Sequence, residues 1–459
     1  MPVVTNLRAY FDLLKRSNLL SQQQLVAARD AAKDYTEARG LARWLVKREW
    51  LTQWQAKQLL GGHHRLFLGK YKLLDVIGQG GMGAVLKAEQ SSIHRIVALK
   101  VMAKELVKDE IAVGRFLREI QTAASLNHSN IVSVIDADCI GDRYFLVMEF
   151  VEGRDIKAWL KKYGPLPISW TCEVARQITR GLQHAHERGM VHRDIKPSNI
   201  MVTVDPKSGT PHAKIMDFGL SRLVSETKSD GHRTRTGEIM GSPDYISPEQ
   251  ASNAKDADIR ADLFSLGCTL FQMLTGQYPF PGTNVMEKLM SRASHVPPPV
   301  SSLRPDVPVA IDEIVALLMR LDPAARIQTP TELLARLGSL DLINPATTQQ
   351  PAKESLNDAM DEVIILEEDD DTLNVFLDQL SAQSADPESS SATPTPTATR
   401  ESKSSMIASI IAAICVIGLF AGLATMSGGS KPKSNDEASV RTPKKETSKK
   451  TTKPKKTRD

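Results

Sequence analysis

Between His192 and Gly219 the chain reads H-R-D-I-K-P-S-N, then a stretch patterned as a hairpin, then D-F-G, and the rest of the chain is organised around this stretch. Two carboxylates, an amide, a lysine and an arginine at these offsets are the set that phosphoryl transfer needs, because that reaction asks a protein for positioning and charge rather than covalent chemistry. Asp194 can orient an attacking hydroxyl and accept its proton. Lys196 can neutralise charge on the moving phosphoryl group, and Asn199 and Asp217 can hold Mg²⁺, with Mn²⁺ as an alternative.

With S-P-E following at residues 247 to 249, the pattern resembles a eukaryotic-type protein kinase of the bacterial branch. Lys196 is the residue that the Ser/Thr-directed kinases carry two places after the catalytic aspartate. The resemblance runs from Tyr71 to about Leu340 and implies a bilobal α+β fold: an antiparallel sheet with one large helix over a mainly helical lobe.

Residues 77 to 85 read I-G-Q-G-G-M-G-A-V, a Gly-x-Gly-x-x-Gly between two strand-like runs. Gly78, Gly80 and Gly83 let the backbone approach phosphates more closely than a Cβ allows. A dinucleotide-binding turn has the same glycines but opens a helix. Here Val85, Leu86 and Ala88 alternate as a strand, and V-A-L-K-V follows at 97 to 101. The resemblance gives Lys100 the α- and β-phosphates of ATP and makes Glu119, on a helical stretch with Phe116, Leu117, Ile120 and Ala124 at inward spacing, its partner. Outside that setting Lys100 reads as a strand-edge position and Glu119 as a solvated helix face.

By the same resemblance, F-L-V-M-E-F-V at 145 to 151 is the strand and hinge between lobes. Met148 would back the adenine pocket, and the Glu149 carbonyl and Val151 amide would pair with the base. Ile77, Val85, Ala98 and Met201 would sandwich it, and Asp155 would reach the ribose. Asp262 would anchor the His192–Arg193 turn, and Glu249 would pair with Arg326. Ser242 and Ser247 depart from the family pattern mildly, and serine at 242 keeps a hydroxyl for the catalytic pair. An arginine before the catalytic aspartate, Arg193, places a buried positive charge beside the following segment; phosphorylation of Thr234 and Thr236 would supply its partner and switch the enzyme on.

Outside this region the chain divides further. Residues 1–65 read as an all-α accessory module, with Val4, Leu7, Phe11 and Leu14 at helical spacing and capping boxes at Ser21/Gln24 and Thr52/Gln55. Trp44, Trp50 and Trp54 are expected in its core. The kinase-like region spans 71–340, and an acidic, Ser/Thr/Pro-rich linker spans 341–405. Within the linker, Leu373, Phe376, Leu377 and Leu380 share a helical face that could dock a partner or the chain's own surface. Residues 406–426 lack charge and match the length of a membrane-spanning helix, in which Gly418 and Gly422 offer a homodimer contact, the kinase-like region being the alternative one. A basic tail, 427–459, follows.

Residues 431 to 459 hold eleven Lys and Arg against four Asp and Glu, so the body is slightly acidic and no nucleic-acid partner is expected for the kinase-like region. Cys139, Cys172, Cys268 and Cys415 form no C-x-x-C pair, which fits reduced core cysteines. Charges at Arg8, Asp12, Lys15 and Arg16 interrupt every early apolar run, so no secretory leader is expected. The expectation is a single-pass protein of the cell membrane, in contact with its lipid, with its kinase region cytoplasmic and its tail outside, transferring the ATP γ-phosphoryl group to Ser and Thr of protein substrates. A catalytically dead membrane scaffold is the alternative. It predicts a lost lysine, aspartate or glycine, and none is lost.

Overall fold

Six strands, β1 (Phe67–Leu68), β2 (Tyr71–Gly80), β3 (Gly83–Gln90), β4 (Arg95–Met102), β5 (Val134–Ile140) and β6 (Arg143–Glu149), form an antiparallel sheet in the order β1-β2-β3-β4-β6-β5. The computed structural model describes residues 4–340 except 81, 82, 104–106, 108, 109, 142, 219–241, 254 and 255, all within the compact unit Met1–Ala385. Strand β4 is buried from Val97 onward because both faces of the sheet are covered. With a side-chain period of two, Val97, Leu99 and Val101 face one cluster and Ala98 and Met102 the other. Helix α5 (Glu110–Ala124) covers the second face with Phe116 and Ile120.

The first face is covered by the N-terminal helices α1 (Leu7–Arg16), α2 (Gln22–Ala31), α3 (Ala38–Lys47) and α4 (Gln53–Leu60). Tyr10, Leu14, Leu41, Leu45 and Leu59 pack into one cluster with Leu73, Leu86, Val97, Leu99 and Phe145. The N-terminal helices and the sheet therefore share a core. Both expected capping boxes form at the starts of α2 and α4, each contributing about 1 kcal/mol to its helix. Trp44 meets Trp50 edge-on at 5.3 Å, with the Arg48 guanidinium 4.6 Å from the Trp44 ring. These rings and Trp54 are half-buried at the rim of the shared core.

The lower lobe is built on α6 (Ile156–Tyr163), α7 (Ile168–His186) and the buried helix Ile259–Thr275, with a small sheet of β7 (Arg154–Asp155), β8 (Ile200–Val204) and β9 (Pro211–Ile215) in that order. Arg326 locks its base. Its Nη1 and Nη2 donate to the two carboxylate oxygens of Glu249 at 2.7 and 2.8 Å. Nε and the remaining Nη hydrogens donate to the carbonyls of Arg320, Arg260 and Leu321, so all five donors of a fully buried guanidinium are satisfied. Burial raises the Glu249 pKa, but the Arg326 charge and hydrogen bonds outweigh it and hold the carboxyl below its ordinary value.

The expected membrane localisation is corrected: among the described residues no helix is long and apolar enough to cross a membrane. The longest, Ile168–His186, carries Glu173, Arg176 and Arg180 among its 19 residues. Ile259–Thr275 is more apolar but has 17 residues, about 26 Å at 1.5 Å each, and its apolar side chains fill the lower-lobe core. Residues 406–426, with Gly418 and Gly422, the linker and the tail lie outside the described residues.

Candidate active site

The β8–β9 hairpin brings the two halves of the H-R-D to D-F-G stretch together. Ile200 pairs with Ile215, and the Met216 N–H donates to the Asn199 carbonyl at 2.9 Å, so Asn199 and Asp217 sit at one end of the hairpin. Preceding them, the loop is fixed by Asp262 on the buried helix. Its Oδ2 and Oδ1 accept the N–H groups of His192 and Arg193, both at 2.7 Å. Complete burial pushes the Asp262 carboxyl above its ordinary range, against those two N–H donors and the neighbouring positive groups. His192 Nδ1 accepts the Asp194 N–H at 3.2 Å, so the ring proton sits on Nε2 and is donated to the Met216 carbonyl at 2.7 Å. One imidazole thus ties the loop to the strand end, and its ring meets Phe218 edge-on at 4.6 Å.

Two non-glycine residues of the site are left-handed, Arg193 at φ 69° and Asp217 at φ 61°. Such a conformation costs roughly 1–2 kcal/mol each. At Arg193 it is held from both sides: its N–H goes to Asp262, and its carbonyl accepts Gln250 Nε2 at 2.7 Å. The sequence pattern did not single out Gln250. Its signal was its place directly after S-P-E.

Around Asp194 the polar groups converge. Lys196 Nζ lies 2.7 Å from Asp194 Oδ2 and donates to Ser242 Oγ at 2.9 Å. Asn199 Nδ2 donates to the Asp194 carbonyl and to Oδ2 at 2.8 and 3.0 Å. Lys196 and Asn199 thus both meet the carboxylate at Oδ2, and among the described residues Oδ1 has no such partner. Because Nδ2 is engaged on one edge of the Asn199 amide, Oδ1 faces the other way, and that is the atom a hard cation takes. Among the described residues no three His, Cys, Asp or Glu side chains cluster as a metal site. Mg²⁺ needs none, since one or two protein oxygens and phosphate oxygens suffice. Asn199 and Asp217 fit that requirement.

From the upper sheet, Lys100 stands opposite Val85 on one side and Leu146 on the other. It is buried, and its Nζ pairs with Asp217 Oδ2 at 2.8 Å. The resemblance makes Glu119 the partner of Lys100; in this structure Lys100 is paired with Asp217, and Glu119 is half-buried on α5. Ala98 is in register with Met148, and Val85 packs on the same cluster, while Ile77 is 46% exposed. Met201 comes from the lower sheet, paired with Asp155. Asp155 caps α6 with Oδ1, accepting the Ala158 N–H at 2.8 Å. At the hinge, Glu149 Oε1 accepts from Lys214 Nζ at 2.7 Å and the Ser133 N–H at 2.9 Å, contacts with no sequence signal; Val151 is half-buried.

Gly83 is required for a reason other than phosphate approach. At φ +124° a Cβ there would lie 1.9 Å from the Val101 carbonyl of β4. Gly78, in contrast, has among the described residues nothing nearer than the Val85 side chain at 3.8 Å, and Gly80 pairs with Gly83 where the two strands close. Arg193 is half-buried rather than buried, and Thr234 and Thr236 lie outside the described residues.

A family model described as "Protein kinase domain" matches residues 71–336. The serine/threonine-protein kinase pkn3 of Myxococcus xanthus is 36% identical over 276 residues, covering 59% of this chain and 50% of that protein. Serine/threonine-protein kinase PknB of Mycobacterium leprae is 36% identical over 295 residues, covering 63% and 45%. The chain thus spans half or less of these curated relatives' length. The solved kinase domain of Mycobacterium tuberculosis PknI aligns over 59% of this chain and 96% of its own at 24% identity, with a TM-score of 0.46. The matched model covers more than half of the 459 residues and every group converging on Asp194, Lys100 and Asp217, and the chain belongs to the protein kinase domain family.

Proposed function

We propose that this chain is a Ser/Thr protein kinase that transfers the γ-phosphoryl group of ATP to protein hydroxyls. The observation that carries the reading is Lys196, held between Asp194 Oδ2 and Ser242 Oγ at 2.7 and 2.9 Å. A hydroxyl arriving at Asp194 Oδ1 enters beside a fixed ammonium that offsets the charge of the group it attacks. Lys100 would hold the phosphates, and Asp217 and Asn199 would hold Mg²⁺, which when bound would supply neutralisation of the phosphate charge. The hinge backbone at Glu149 and Val151, with Ile77, Val85, Ala98 and Met201, takes the base, and Asp155 Oδ2, free of the α6 cap, takes the ribose. Glu119 supports Lys100 when nucleotide draws Lys100 from Asp217. The names of the relatives support Ser/Thr specificity. A scaffold without catalysis would lack one of these groups.

Activation by phosphorylation of Thr234 and Thr236 belongs to the same reading. Its support is Arg193, next to the catalytic aspartate and tied through Gln250 to the helix that follows the threonines. Incubation of the full chain with γ-labelled ATP, Mg²⁺ and a Ser/Thr-rich protein tests the reading. Label recovered as phosphoserine or phosphothreonine is expected; absence of transfer, or label on tyrosine alone, overturns it.

A further inference from the structure

Strand β2 carries a register shift between Leu73 and Asp75: Leu73 pairs with Ala88 and Asp75 with Lys87, so Leu74 has no partner in β3. An extra residue of this kind leaves backbone groups without ladder bonds. Here they are taken by α4. Thr52 Oγ1 donates to the Leu74 carbonyl and Gln55 Nε2 to the Leu73 carbonyl, both at 2.6 Å. These are the two residues of the α4 capping box, so each group works twice: Thr52 Oγ1 also accepts the Gln55 N–H, and Gln55 Oε1 accepts the Thr52 N–H. Gln55 is buried.

The bulge changes the phase of the strand. Leu73 and Val76 both pack on the core shared with the N-terminal helices, which an unbroken period of two would forbid. A second register shift follows between Val76 and Gly78 before the strand ends at Gly80, so the pose of Gly78 and Gly80 is set by two bulges in series, and the first of them, at Leu74, is the one that Thr52 and Gln55 hold.

We propose that Thr52 and Gln55 are positioning residues of the nucleotide site, acting through the Leu74 bulge to set the pose of the glycine loop. The N-terminal helices are then a working part of the catalytic unit. The statement about the loop rests on the nucleotide-binding reading above; the statement about the bulge does not.

The test uses the full chain with Thr52→Val and Gln55→Glu, the latter keeping the cap acceptor while removing the donor to Leu73. Thr52→Ser retains both bonds. Ser21→Ala removes the matching cap from α2, whose cap among the described residues bonds to no strand, and so reports simple helix destabilisation. Amide exchange across residues 71–90 without nucleotide is expected to quicken about tenfold in the Val and Glu variants and not in Thr52→Ser or Ser21→Ala. Titration with the magnesium complex of a fluorescent ADP analogue is expected to show about tenfold weaker binding in the same two variants. Equal exchange in Thr52→Val, Gln55→Glu and Ser21→Ala overturns the clamp. Quickened exchange with unchanged nucleotide affinity overturns its role at the site. A parent that binds no nucleotide overturns the kinase reading and with it the positioning role, while the exchange data still decide the clamp.

Discussion

Asp262 accepts the Arg193 N–H at 2.7 Å while Arg193 is at φ 69°, so a buried carboxylate on a core helix holds the residue before Asp194 in a left-handed conformation. Asparagine offers one acceptor where two N–H groups need one each. Asp262→Asn is therefore expected to lower stability by about 2–4 kcal/mol, read as the shift in a urea unfolding midpoint, and to abolish phosphoryl transfer.

The strain at Arg193 is separable from its charge. Arg193→Gly and Arg193→Val both delete the guanidinium, but valine is a poor left-handed residue and glycine pays no steric penalty. Thermal unfolding is expected to show the valine variant less stable by about 1–2 kcal/mol. Equal stability would mean the loop relaxes its backbone.

Gly83 and Gly78 should differ in kind. A Cβ at Gly83 meets the Val101 carbonyl, so Gly83→Ala is expected to cost about 1–3 kcal/mol. Among the described residues Gly78→Ala meets just the Val85 side chain at ordinary contact distance, and it should change stability by less than about 0.5 kcal/mol, checked by calorimetry.

Breaking the lower-lobe lock should be costly and pH-dependent. Glu249→Gln leaves the Arg326 guanidinium buried without its counter-charge, a loss of about 3 kcal/mol at neutral pH. Because the folded Glu249 pKa is depressed below 4.5, the parent's advantage is present above that value and disappears as pH falls through the folded pKa. Urea midpoints of parent and variant are expected to converge on acidification below about 4.5.

What the sequence made legible was local chemistry. The spacing of Asp194, Lys196, Asn199 and Asp217 pointed to phosphoryl-transfer chemistry, and the structure sets Asn199 and Asp217 at one hairpin end with Lys196 and Asn199 both against Asp194. The boxes at Ser21/Gln24 and Thr52/Gln55 were readable because a cap depends on residues three apart. Contacts between distant segments were not readable. Nothing in the order of residues says that Thr52 and Gln55 serve a bulge in β2, that Lys214 reaches Glu149, or that Lys100 pairs with Asp217. The N-terminal helices looked self-contained because their periodicity shows only that each has an apolar face. The strand V-A-L-K-V-M held the missing clue, since an apolar run without alternation means that both faces of the sheet are covered.

In the proposed mechanism Asp194 orients and deprotonates the attacking hydroxyl while other groups hold the nucleotide. Single-turnover transfer of labelled γ-phosphate by the full chain, with Asp194→Asn beside the parent and nucleotide affinity measured on both, tests it most directly. Unchanged affinity and a transfer rate lower by on the order of 10³ are expected. Transfer by Asp194→Asn at the parental rate would contradict it.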